Sequence, residues 1–237
     1  MLHHSVAGHH VSAPSPQPVA EVGGFLRGVV TLPSLAVTSQ PPRGDGGMVR
    51  VLPGYLSSDV TTVALRGYLR ALGYRPHGWG LGVNKGDVEH YATLMTQVAR
   101  ADATRTGRRL RIVGWSLGGV IGREVARRAP EAVSHVITLG SPIVGGPKYT
   151  AAAASYESDG WDLERIAAIV AQRNSEPMPV PVTAFYSKAD SVVAWQACLD
   201  PNPLSPTRHV EVAGKHAELA FSAPVLRLVA QALAEGR

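Results

Sequence analysis

The most informative part of the sequence is Leu110-Arg111-Ile112-Val113-Gly114-Trp115-Ser116-Leu117-Gly118, in which an apolar run leads into a glycine-flanked serine. The apolar run has the composition of a buried strand, and residues 117–129 predict a helix that stops at Pro130. Ser116 therefore lies where a strand turns sharply into a helix. Glycines suit such a turn because any side chain beside the serine would collide with the neighbouring strand or helix.

Strand-like and helix-like segments alternate on both sides of this turn. Further strands are predicted over residues 48–52, 74–79, 133–139, 181–187 and 207–212, and further helices near residues 60–72, 88–106, 162–172 and 224–234. Strands separated by helices indicate right-handed βαβ units. The sequence therefore predicts an α/β fold, with a mainly parallel sheet flanked by helices on both faces.

The 237 residues fit one main domain with a short tail. Residues 1–20 are rich in His, Pro, Ser and Gln and poor in bulky apolar side chains, so we expect a disordered tail there. Residues 21–237 are expected to form a single α/β domain. Within it, residues 148–180 interrupt the strand and helix rhythm and predict either a small cap over a pocket or a long crossover connection.

Composition limits the possible functions. The net charge of +5 is carried mostly by scattered arginines, which favours a solvated surface and no nucleic-acid partner. Cys198 is the only cysteine, so no intramolecular disulfide framework or Cys-rich zinc module is expected. No apolar run approaches the roughly 20 residues of a transmembrane segment, and no signal peptide is evident. We therefore expect a cytoplasmic protein with no bound metal or cofactor.

Two further loops follow predicted strands: Leu52-Pro53-Gly54-Tyr55-Leu56, and Thr138-Leu139-Gly140-Ser141-Pro142. Together with the Gly-x-Ser-x-Gly pattern at Ser116, they resemble the α/β-hydrolase superfamily, in particular its lipase-like and esterase-like members. The resemblance covers about residues 46–235. It implies an α/β-hydrolase fold with Ser116 as the nucleophile. The first loop matches only partly, because Pro53 stands where this family often has histidine.

A serine hydroxyl becomes an effective nucleophile when a histidine removes its proton. The family's chain order is serine, then acid, then histidine, which disfavours the histidines that precede Ser116. His135 and His209 fall within predicted strands, where a structural role is more natural. His216 lies in a loop before the last helix and is therefore the predicted catalytic base.

The third catalytic residue should be a carboxylate that orients this histidine from a loop after the penultimate strand. Asp190 has that position and is the predicted acid, although an isolated loop aspartate often serves only a turn. Asp159 and Asp162 lie in the predicted cap, and Asp200 lies in a proline-rich loop. Turn roles are more natural for these three.

The resemblance also implies an oxyanion hole formed by backbone N–H groups. Its donors would be the amides of Tyr55 and Leu117. The side chains of Tyr55 and Trp115 either line the acyl pocket or pack against the sheet.

These residues predict a serine carboxylic ester hydrolase that acts on a lipophilic acyl ester through a Ser-Asp-His triad and an acyl-enzyme. The partner would be a small-molecule or lipid ester. Two alternatives stay open: an acyltransferase or thioesterase that uses the same triad, and a non-catalytic binding protein of the same fold.

Overall fold

The computed structural model describes residues 41–236 and two short segments nearer the N-terminus, Ser5–Val6 and His9–His10. These two segments pair in antiparallel fashion. The rest of the tail expected over residues 1–20 lies outside the described residues, as do residues 21–40.

Six parallel strands form the central sheet. They are β1 (Met48–Leu52), β2 (Arg75–Gly78), β3 (Leu110–Trp115), β4 (Val133–Leu139), β5 (Val182–Tyr186) and β6 (Thr207–Glu211). Their order across the sheet is β2-β1-β3-β4-β5-β6. The predicted α/β class with a parallel sheet is therefore confirmed.

Seven α-helices accompany the sheet within the described residues. They are α1 (Val63–Ala71), α2 (Val88–Thr106), α3 (Leu117–Arg128), α4 (Ala153–Ser158), α5 (Leu163–Asn174), α6 (Glu218–Phe221) and α7 (Ala223–Glu235). Asp87 caps α2 by accepting a hydrogen bond from the His90 amide at 3.0 Å, and Asp162 caps α5 through the Arg165 amide at 2.9 Å. No helix among the described residues is both long and apolar enough to cross a membrane.

Both faces of the sheet are buried, as the apolar composition of β3 predicts. Ile112 packs with α2 and α3 on one face, whereas its neighbour Val113 packs with α1 and α7 on the other. This alternation follows from the two-residue period of a strand. Burial of each such side chain contributes roughly 1.5–3 kcal/mol, so the two layers of helices are held firmly against the sheet.

The carboxyl ends of five strands meet at one edge of the sheet. The loops that follow β1, β3, β4, β5 and β6 contain Tyr55, Ser116, Gly140, Asp190 and His216 respectively. Ligands of open parallel sheets bind at this edge. The fold thus gathers the predicted site residues from distant parts of the chain.

Candidate active site

Ser116 occupies a strained turn between β3 and α3. Its φ of 53° and ψ of −126° are unusual for a residue with a side chain. Such a conformation costs on the order of 1–3 kcal/mol and persists where the surroundings enforce it. One constraint is the 2.8 Å hydrogen bond from the Ser116 amide to the Leu139 carbonyl of β4.

The glycines around Ser116 are required by close backbone contacts. A Cβ atom on Gly114 would overlap the backbone of Gly118 and Gly119. A Cβ atom on Gly118 would overlap the backbone of Leu52 at the end of β1. The strand therefore turns into the helix with no room for side chains beneath the serine.

Asp190 and His216 form a buried hydrogen-bonded pair. The distance from His216 Nδ1 to Asp190 Oδ2 is 2.7 Å, and the two side chains are 6% and 1% exposed. The other carboxylate oxygen, Oδ1, accepts hydrogen bonds of 2.8 Å from the amides of Val192 and Val193. With Nδ1 facing the carboxylate, the carboxylate fixes the orientation of the imidazole ring.

Gly140 lies beside this pair. A Cβ atom built on it would be 3.1 Å from Asp190 Oδ2 and 3.2 Å from His216 Nδ1, and its φ is +57°. Both the crowding and the positive φ favour glycine. The loop after β4, one of the two loops that carry the family resemblance, therefore lies against Asp190 and His216.

Side-chain hydrogen bonds help to hold the loop that contains His216. Trp115 Nε1 donates to the His216 carbonyl at 3.2 Å, and Ser187 Oγ donates to the Gly214 carbonyl at 2.6 Å. The Lys215 amide donates to Glu218 Oε2 at 2.7 Å. Neither Ser187 nor Glu218 was predicted from the sequence, and the bond partner of Ser187, Gly214, lies 27 residues further along the chain.

Asn84 holds the loop after β1 and was also missed by the sequence analysis. Its Nδ2 donates to the Pro53 carbonyl at 3.0 Å, and its amide donates to the Ser57 carbonyl at 2.9 Å. Its carbonyl accepts from the amide of Leu56 at 2.8 Å, and Leu56 has a φ of 54°. Asn84 is fully buried, so these bonds form away from water and fix the loop on both sides of Tyr55.

A cavity of about 140 Å³ is lined by four of the five predicted site residues, and Asp190 is the one that does not line it. It is lined by Ser116 and His216, by Tyr55 and Leu117, and by Trp115. We call it the serine cavity. Tyr55 and Trp115 therefore border the cavity, and both also pack against the hydrophobic core, so the two alternatives given for them do not exclude each other.

Part of the segment 148–180 forms the opposite wall of the serine cavity. Thr150, Ala152 and Tyr156 all line it. The start of this segment is joined to the loop that contains Asp190, because Thr150 forms an antiparallel bridge with Val193 and the Ala151 amide donates to the Val192 carbonyl at 2.8 Å. Both alternatives for this segment, a cap or a long crossover connection, stay predictions.

The competing aspartates have other partners. Asp162 is the cap of α5, and Asp159 Oδ2 lies 3.4 Å from the hydroxyl of Tyr55. Asp200 accepts a hydrogen bond from the Asn202 amide, as expected for a turn. It also forms a buried ion pair with Arg123 at 2.9 Å, which its position in a proline-rich loop did not indicate.

The histidines predicted to be structural lie in strands. His135 in β4 bonds Thr183 Oγ1 through Nε2 at 3.0 Å, and burial lowers its pKa to about 4. His209 in β6 accepts a hydrogen bond from the Asp200 amide. Burial raises the pKa of the Cys198 thiol, which makes it a poor nucleophile. Within the described residues, no three His, Cys, Asp or Glu side chains cluster as metal ligands would.

The sheet order, the helices on both faces and the strand-turn-helix at Ser116 define the α/β-hydrolase fold. Solved structures agree. The chain is similar to Bacillus licheniformis lipase BlEst2 in its mature form, with 12% identity and a TM-score of 0.65 over 83% of this chain and 95% of that one. It is also similar to a Paleococcus ferrophilus monoacylglycerol lipase, with 13% identity and a TM-score of 0.61 over 84% and 98% of the two chains.

A mouse alpha/beta hydrolase domain-containing protein 10 has 18% identity and a TM-score of 0.59 over 83% of this chain and 91% of its own. No protein-family model matches the sequence, and no curated protein matches it significantly. At these identities the similarity demonstrates the fold. The chemistry has to be argued from the site itself.

Proposed function

We propose that the protein is a serine hydrolase that cleaves carboxylic esters with a lipophilic acyl group. The observation that carries the proposal is the buried Asp190–His216 pair, at 2.7 Å, whose histidine lines one cavity together with the strained Ser116. A carboxylate on Nδ1 and a nucleophile near the other nitrogen are the two contacts that a catalytic histidine needs. Lipases among the solved structures with this fold support an ester substrate.

In the proposed mechanism, His216 Nε2 accepts the proton of Ser116 as Oγ attacks the ester carbonyl. Asp190 holds the imidazole in the required tautomer and stabilises the imidazolium that forms. His216 then gives the proton to the departing alcohol, leaving an acyl-enzyme. Water attacks this intermediate, with His216 again as the base, and releases the acid.

The negative charge on the carbonyl oxygen would be stabilised by the amides of Leu117 and Tyr55. Leu117 is the first residue of α3, where the helix dipole favours negative charge. Gly54 brings the other loop close, because a Cβ atom built on it would lie 3.0 Å from Ser116 Cβ. Each donor of this kind lowers the activation free energy by roughly 3–4 kcal/mol.

Ester hydrolysis and active-site labelling test the proposal. The wild type should hydrolyse p-nitrophenyl esters and react with a fluorophosphonate, whereas Ser116→Ala should do neither. Ser134→Ala is a matched control, since Ser134 Oγ bonds the Leu110 carbonyl at the far end of the strands. A folded Ser116→Ala variant with wild-type activity would rule out the mechanism.

Product analysis and the fluorophosphonate label together separate the alternative functions. Product analysis with added alcohols or acyl thioesters distinguishes an acyltransferase or thioesterase from an esterase. A binding protein without catalysis would leave Ser116 unlabelled by the fluorophosphonate.

A further inference from the structure

A second cavity of about 150 Å³ adjoins the serine cavity. We call it the side cavity. Leu117, Pro147 and Tyr156 line both cavities, so the two share a wall. The rest of the side cavity is lined mainly by aliphatic side chains, which include Val88, Val120, Ile143, Ile166, Ile169 and Val170.

The charged residues that line the side cavity already have partners. Arg173 pairs with Glu89 at 2.7 Å and with Glu124 at 3.3 Å. Arg123 is held by the buried ion pair described above, and Asp87 caps α2. A charged ligand would have to compete with these pairs, whereas a neutral apolar group would not.

Tyr156 separates the two cavities. Its ring lies 4.7 Å from the ring of Tyr55 on the serine side and 6.3 Å from the ring of Trp161 on the other. Its hydroxyl is buried beside Gly86 and has no hydrogen-bond partner among the described residues. The side chain can therefore turn aside without breaking a hydrogen bond.

We propose that the side cavity binds the acyl chain of the substrate and limits the part of that chain beyond the carbonyl to a neutral group of about six carbons. A cavity of this volume holds a group the size of benzene, which sets that limit. Leu117 connects the reaction site with the side cavity. In the proposed mechanism its amide binds the reacting carbonyl oxygen, and Leu117 also lines both cavities. This inference rests on the proposed ester hydrolysis and specifies its substrate class as esters of medium-chain acids.

Ile166 is the best position for a test. It lies on α5 in the wall of the side cavity and is only half-buried, so a larger side chain can be accommodated there. Ala168 on the same helix is a matched control, because it lines the open groove on the other side of α5 and not the side cavity. The variants are Ile166→Phe, which fills the cavity, Ile166→Ala, which enlarges it, and Ala168→Phe.

The measurement is kcat/KM for p-nitrophenyl acetate, butyrate, hexanoate, octanoate, laurate and palmitate. The wild type should be most active on hexanoate or octanoate. Ile166→Phe should lower the ratio of octanoate to acetate activity by about tenfold, as expected when several methylenes lose their pocket. Ile166→Ala should move the maximum to longer chains, and Ala168→Phe should keep the wild-type profile.

Two failures can be told apart. If both Ile166 variants hydrolyse the series with the wild-type profile, the side cavity is not the acyl subsite, while ester hydrolysis stands. If no ester is cleaved and the fluorophosphonate does not label Ser116, the proposed function itself is wrong. If Ile166→Phe does not fold, Ile166→Ala alone decides through the direction of its shift.

Discussion

The indole nitrogen of Trp115 donates a 3.2 Å hydrogen bond to the main-chain oxygen of His216. The residue before the proposed nucleophile thus holds the loop of the proposed base, although the two are about a hundred residues apart in the chain. The rings of Trp115 and His216 also lie 5.5 Å apart. The relative position of serine and histidine therefore depends on this tryptophan.

Replacing Trp115 by phenylalanine should slow catalysis more than it weakens binding. Trp115→Phe keeps an aromatic ring against Phe221 but removes the indole donor, which is worth about 0.5–1.5 kcal/mol. We expect kcat to fall roughly threefold to tenfold with little change in KM. Trp195→Phe, on the 3₁₀ turn Trp195–Cys198, is the control. Equal effects on kcat in both variants would contradict this role.

Asn84 should act as a positioning residue for the Tyr55 amide. Asn84→Ala removes the hydrogen bond to the Pro53 carbonyl and loosens the loop, so we expect kcat to fall on the order of ten to a hundredfold. Affinity for a boronic acid, which forms a tetrahedral adduct with serine, should fall in parallel with kcat.

A merely structural loss would behave differently. Thr183→Val serves as the control because it also removes a buried hydrogen bond, but one in β5. If the two variants lose similar stability and only Asn84→Ala loses kcat and boronate affinity, the positioning role is supported. Similar kinetics in both variants would refute it.

His135 should make the protein sensitive to acid. Burial lowers its pKa to about 4, and the positive charges of Arg111 and Arg208 act in the same direction. The unfolded chain takes up this proton near pH 6.5, so it binds more protons than the folded chain between these values. The free energy of unfolding should therefore fall as pH drops from about 6.5 to about 4, by up to roughly 3 kcal/mol.

Urea denaturation across this pH range measures the effect. His135→Asn removes the titrating group and should flatten the pH dependence. The exposed His90→Asn variant is the control and should keep the wild-type slope. A wild-type slope in His135→Asn would assign the acid sensitivity to other groups.

The ion pair of Arg123 and Asp200 should be costly to break from one side. Both side chains are almost completely buried, at 3% and 1% exposure. Asp200→Ala leaves the guanidinium uncompensated, so the free energy of unfolding should fall by about 3–5 kcal/mol. Adding Arg123→Met should restore part of that loss, and urea denaturation of both variants would check it. A double variant less stable than Asp200→Ala would contradict the argument.

The sequence predicted the parts of the fold that local pattern controls. Strand β4 has the predicted bounds, and α5 begins at Leu163, one residue after the helix start that the sequence predicted. Helices α4 and α6 were not predicted, because they have six and four residues and short helices depend on tertiary contacts more than on propensity.

The residues of the candidate site also fall into two groups, those that the sequence could indicate and those that it could not. Asp190 and His216 could be predicted because each follows a strand at a position typical of the resembled family. Asn84 could not be, because its importance arises from bonds to a loop about thirty residues earlier in the chain. The buried pairing of Asp200 was missed for the same reason, since its partner lies on a different element.

The joint between the segment 148–180 and the loop that contains Asp190 limits how far the two can move apart. Val192 and Val193 donate their amides to Asp190, and their strand-like backbone also pairs with Thr150 and Ala151. A hinge placed before Thr150 would pull on the amides that orient the carboxylate. A movement of α4 and α5 would therefore have to pivot beyond Ala151, and it would leave the Asp190–His216 pair in place.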